Sequence, residues 1–97
     1  MSRSAPISDF AIDDVNEEKF WAHSLTARQV LQVLDSPFLV VPNRRHRTAP
    51  KLVLERDSSG RCIAIPVVPT PIPQVWRPVT AWFCKESEVV RLAQSGR

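Results

Sequence analysis

Nine prolines in 97 residues do most to limit what this chain can become, because each fixes φ and removes a backbone donor from any helix interior or central strand. Pro37 stops the apolar stretch before it, and Pro42 closes the run Phe38–Val41. Pro42 and Pro50 bracket a basic segment. Five more, Pro66, Pro69, Pro71, Pro73 and Pro78, crowd PVVPTPIPQVWRP, which suits a stiff, largely extended arm better than a central strand. A chain of this length holds one modest core. We place a polar tail at 1–7, one domain at 8–94 and a short tail at 95–97.

The stretch Asp9–Ile12 reads as a short strand. In DDVNEEKFWAH, Asp14 stands three residues before Glu17, with both carboxylates near the positive end of a helix dipole. This predicts a short helix ending near His23, with Phe20 and Trp21 in the core. LTARQVLQVLDSP offers Thr26 as N-cap, Gln29 as its capping-box partner and Leu25 to staple against Val30. A second helix over Ala27–Asp35 follows, with Val30, Leu31, Val33 and Leu34 as its apolar face.

Phe38–Val41 is a brief strand. KLVLER-DSSG-RCIAIPV has the form of a hairpin. A turn at Asp57–Gly60 sets Arg56 opposite Arg61, Leu54 opposite Ile63 and Leu52 opposite Ile65, so the bulky aliphatics share one face. Val75–Phe83 resumes strand character, with Trp76, Thr80 and Trp82 on one side and Arg77, Val79, Ala81 and Phe83 on the other. Lys85–Gln94 closes the chain as a helix. The expected fold is α+β, β-α-α-β-β-β-β-α, a small, twisted, mainly antiparallel sheet with helices on one face.

Charge is unevenly spread. The net charge is only +3, yet Asp13, Asp14, Glu17 and Glu18 crowd one segment while Arg44, Arg45, Arg47 and Lys51 crowd another. Cys62 and Cys84 follow no secretory leader pattern and read as reduced thiols of a cytoplasmic protein. No apolar run reaches the roughly 20 residues of a membrane span. His23, His46, Cys62 and Cys84 lack metal-ligand spacing, so neither metal nor cofactor is expected.

Three pieces of the chain, FAIDDVNEEKFWAHSLTARQVLQVLDSP, GRCIAIPV and WRPVTAWFCKESEVVRL, carry a resemblance to a known family. Their order resembles that of the BrnT toxins, small ribonucleases of bacterial toxin–antitoxin systems with a RelE-like fold. His23 matches the family's turn histidine, Gly60-Arg61 the opening of its second hairpin strand, and Thr80-Ala81 the end of its last strand. Ser24 stands where the family has glycine. Ala81-Trp82-Phe83-Cys84-Lys85 replaces an Ala-Arg-Lys continuation. The resemblance implies RNA as substrate and an antitoxin protein as partner.

Metal-independent RNA cleavage needs proton-transfer groups and cations for the phosphate. His46, His23 and Glu55 are the candidates for the first role, with Arg77 and Lys85 beside them for the second. Arg44, Arg45, Arg47 and Lys51 are candidate RNA contacts. Each has a plainer alternative: His23 as a helix cap, His46 as a solvated loop residue, and Lys85 as part of a charged helix face. Trp76 and Trp82 read either as base-stacking groups or as a homodimer or antitoxin interface. Three classes stay open: a toxin-like ribonuclease or its weakened relative, a non-catalytic nucleic-acid binder, and a protein-interaction module.

Overall fold

The computed structural model of the protein describes residues 7–43 and 49–95. In chain order the elements are β1 (Asp9–Phe10), α1 (Asp14–Ala22) and α2 (Ala27–Gln32), which tightens into a 3-10 turn at Val33–Asp35. Then come β2 (Leu39–Pro42), β3 (Lys51–Arg56), β4 (Cys62–Pro69), β5 (Val75–Pro78), β6 (Trp82–Phe83) and α3 (Glu86–Gln94). The strands form one mixed sheet in the order β1-β5-β4-β3-β2, with β6 beside β4. The β1–β5 pair is parallel and the others are antiparallel. The α+β class holds, but the helices cover both faces of the sheet, not one.

The reason lies in the hairpin. Gly60 adopts φ +89°, and Asp57 N–H donates to the Arg61 carbonyl at 2.8 Å. Asp57 Oδ1 accepts from the Ser59 and Arg61 backbone at 2.9 and 3.0 Å and from Ser59 Oγ at 2.6 Å. These bonds make Arg61 a loop residue, so Arg56 pairs with Cys62, Leu54 with Ala64 and Val53 with Ile65. A one-residue slip exchanges the faces of one strand against the other. Val53, Ile63, Ile65 and Val67 therefore join Phe20, Leu25, Val30 and Val33 beneath α1 and α2. Leu52, Leu54 and Ala64 lie on the other side with Leu92 of α3. Arg61, freed from an opposing Arg56, rests its guanidinium carbon 3.5 Å from the centre of the Phe83 ring, a cation–π contact.

The proline-rich segment is not a free arm. Pro66 and Pro69 belong to β4, and β5 returns along it. Val67 pairs with Pro78 and Ala64 with Trp82, so Ile65 and Pro66 face three residues, Val79, Thr80 and Ala81. That extra residue is a β-bulge. Val79 N–H donates to the Pro66 carbonyl at 2.9 Å. A strand residue directs its N–H and C=O to the same neighbour, so the donor that Pro66 lacks falls at the bulge, where the ladder is already broken. The bulge also reverses side-chain alternation. Trp76, Ala81 and Phe83 pack on the α1–α2 side, while Trp82 packs on the α3 side. The two tryptophans thus do not share a face.

Both early helices are capped by side chains. Thr26 and Gln29 form the expected capping box. In α1 the cap is Asp13, one residue earlier than Asp14, and it pairs reciprocally with Asn16. Asn16 is buried, and its amide donates to the Ala11 carbonyl at 2.9 Å and the Pro78 carbonyl at 3.1 Å. The start of the helix is thereby tied to β5. Just past the C-cap His23, Ser24 has φ +64°, and Leu25 N–H reaches the Phe20 carbonyl and Ser24 N–H the Trp21 carbonyl, both at 2.9 Å. This double bond pattern closes a helix through a left-handed residue, a position that favours glycine. Phe20 is fully buried, whereas Trp21 is 65% exposed and Leu31 39% exposed; neither belongs to the core expected for it. Ile7, assigned to the tail, is buried in the core.

Candidate functional site

A cleft of about 290 Å³ opens between α3 and the sheet, lined by Asn43, Leu52, Leu54, Trp82, Lys85 and Arg91 among others. Leu92 buries the C-terminal half of α3, and the cleft lies between its first turn and Leu52 and Leu54 of β3. Glu88 organises the wall. Its Oε1 accepts the Trp82 indole N–H at 3.0 Å and the Lys85 backbone N–H at 2.8 Å. The helix-face pairs Lys85–Glu88 and Glu88–Arg91, allowed by spacing, do not form ion pairs among the described residues.

Lys85 Nζ lies 5.9 Å from the centre of the Trp82 ring, and the His23 ring approaches the same indole edge-on, with centroids 6.5 Å apart. His23 is also the C-cap residue of α1 and is exposed. The opposite wall holds an anomaly. The side-chain nitrogen of Asn43 is buried and has no hydrogen-bond partner among the described residues, a state that costs about 1–3 kcal/mol for a neutral polar group. Asn43 N–H meanwhile donates to the Pro50 carbonyl at 3.0 Å, closing the stem from which the basic segment departs.

His46, Arg44, Arg45 and Arg47 lie outside the described residues. Lys51 opens β3, half-buried, opposite Pro42 and Val67. Glu55 is buried near the other end of that strand, on the face away from Trp82, and its Oε1 accepts the Arg56 backbone N–H at 2.8 Å. Arg77 pairs with Val68 of β4, four positions along from the Ala64–Trp82 pair, or about 13 Å at strand spacing. The structure therefore gathers Trp82, Lys85 and His23 and leaves Glu55 and Arg77 apart from them.

Arg77 is already engaged. Its Nη1 and Nη2 donate to Asp13 Oδ2 at 2.5 Å and Oδ1 at 3.0 Å, joining β5 to the cap of α1. The guanidinium, followed by the Asn16 backbone N–H, holds the Asp13 carboxyl below the usual carboxylate range, at about 2. A group whose pKa falls on folding lends stability above its unfolded value and loses it as pH drops through the folded one. Thermal melts should therefore show an Asp13 contribution that is complete above about pH 4 and fades towards pH 2. Asp13→Asn should lower the melting temperature at pH 7 and flatten this acid segment of the profile. Parallel acid profiles for the variant and the parent would refute the linkage.

Cys62 and Cys84 form a disulfide, with an S–S distance of 1.98 Å and Cα atoms 5.2 Å apart. This overturns their reading as reduced thiols. The bulge explains it: once Ile63 pairs with Phe83, the next residues outward are the two cysteines, and Cys84 N–H donates to the Cys62 carbonyl at 2.9 Å. The bridge fastens the end of β6 to β4 where the chain enters α3. Among the described residues no helix is long and apolar enough to cross a membrane. Scans against family models, curated proteins and solved structures found no match to this chain.

Proposed function

We propose that this protein is an RNA-binding relative of the BrnT toxins with a RelE-like fold, acting in the cytoplasm and controlled by an antitoxin protein. The observation that carries this is a placement. The two ends of a segment containing Arg44, Arg45 and Arg47 are clamped by the Asn43–Pro50 bond, beside a cleft to which Lys85 and Arg91 contribute exposed cations. Like charges confined in this way favour contact with a polyanion. The segment supplies most of the charge for the phosphates, and Trp82 supplies an aromatic wall.

In such a protein, hydrolysis is metal-independent and weak. Glu55 is buried on the far face and Arg77 is held by Asp13, which leaves His46 and His23 for proton transfer, the latter beside Trp82, and Lys85 and Arg91 as the cations of the cleft. A partner surface that uses Trp76 and Trp82 together is not supported, because they lie on opposite faces. A homodimer or antitoxin contact would use one of them alone.

The test is the salt dependence of binding to a single-stranded oligoribonucleotide. Each phosphate neutralised adds about 0.7 to the slope of log K against log salt, so changing Arg44, Arg45 and Arg47 together to Ala should flatten it by about 2. Circular dichroism should stay unchanged. An unaltered slope in a folded triple variant would sink the RNA reading and leave the segment as a docking surface for an acidic protein.

A further inference from the structure

We infer that the cleft between α3 and the β2–β3 face is a nucleotide pocket that takes one unstacked base together with its phosphate. The inference deepens the RNA reading and rests on it for the polymer from which the base comes. A volume of about 290 Å³ sits at the foot of the range of small-ligand sites, about 300–1,000 Å³. A single planar ring system with its sugar fits this space; a peptide helix does not.

The lining divides as a nucleotide divides. Leu52 and Leu54 give an apolar floor from the sheet, and Trp82 gives an aromatic wall of the kind on which bases pack. Asn43 lines the cleft, and its amide nitrogen is buried with no partner among the described residues; a turn of the side chain into the cleft brings this donor to an acceptor on the edge of a base. Lys85 and Arg91 are exposed and suit a phosphate, Arg91 through two parallel N–H donors. Glu88, fixed against Trp82 and the Lys85 backbone, sets a negative charge on the helix side of the cleft. It therefore disfavours a wholly acidic occupant and admits a molecule that carries its charge at one end. An acidic peptide lacks that division; a nucleotide has it.

The experiment titrates the ¹⁵N-labelled full chain with AMP, UMP, adenosine and inorganic phosphate. The Trp82 indole N–H signal, assigned through Trp82→Phe, is followed. Either or both nucleotides should shift it saturably, with adenosine and phosphate each binding more weakly than the nucleotide. Asn43→Ala should weaken nucleotide binding about 5-fold, the loss of one neutral hydrogen bond, and Arg91→Gln about 10-fold or more. Should Asn43→Ala fail to fold, Asn43→Asp, which exchanges the donor for an acceptor, serves in its place. Equal affinity for phosphate and nucleotide, unchanged affinity in folded variants, or no saturable shift with either nucleotide would each overturn the pocket. Salt-dependent RNA binding in a protein whose cleft ignores nucleotides would overturn the pocket alone. Nucleotide binding in a protein that ignores RNA would keep the pocket and remove the polymer.

Discussion

Phe20→Ala is expected to cost about 3–5 kcal/mol, while Trp21→Ala, the next residue along, should stay within about 0.5 kcal/mol of the parent. Phe20 is wholly enclosed, in the cluster with Leu25, Val30, Val33, Val53, Ile63 and Ile65. Its removal leaves a cavity where α1 and α2 both meet the sheet. Trp21 points to solvent and loses little when truncated. A domain of this size has only about 5–15 kcal/mol to lose, so the first variant should melt far earlier or fail to fold. Urea denaturation of both variants checks the pair. Equal costs would mean that the helix is rotated from the orientation described.

Opening the Cys62–Cys84 bridge should be nearly as damaging. Closing a chain segment with a separation of 22 residues removes enough unfolded-state entropy to stabilise the fold by about 3 kcal/mol. For fewer than 100 residues this corresponds to a fall in melting temperature of about 12 °C or more. The comparison is a melt with and without a phosphine reductant, with Cys62→Ser/Cys84→Ser as the non-reducible counterpart. Two thiols that alkylate freely in the untreated protein, with a melting temperature indifferent to reductant, would refute the bridge. Because cytosolic thiol pools keep most disulfides open, equilibration of the pair against glutathione buffers of set potential decides which form prevails where the protein works.

Local chemistry was legible in the sequence. Thr26 and Gln29 announced α2 through hydrogen bonds that span three residues, and the end of α1 at His23 followed from the same near-neighbour logic. The hairpin was visible; its register was not. It depends on Gly60 taking a left-handed conformation and drawing Arg61 into the loop, a choice between turns that DSSG alone does not make. That one residue moved Leu52 and Leu54 to the opposite face and gave α3 something to cover. The extra residue at Val79–Ala81 acted likewise on the tryptophans, and it brought the two cysteines side by side. Such pairings join segments about twenty residues apart, and hydrophobic alternation carries no information about them. The weight of Asn16 lies in reaching Ala11 and Pro78 together, and the second of these is a long-range contact. The legible clue is its place three residues after Asp13, the spacing of a capping box. The cleft was equally hidden, since its walls come from β2, β3, β6 and α3.

The parallel pairing of β1 with β5 joins Asp9 to Val75 and Phe10 to Trp76, and this bears on the timing of folding. At about 5–20 residues per second, a growing chain takes roughly 3–13 s to travel between those partners. As they emerge in that interval, β2, β3 and β4 can zip together through short-range contacts, while β1 waits with Ile7 and Phe10 uncovered. The growing domain is thus an open sheet with an uncovered apolar segment, sealed only when the segment near Pro78 arrives. Refolding should retrace the same sequence, with the nearby strands pairing first and the long loop closing late.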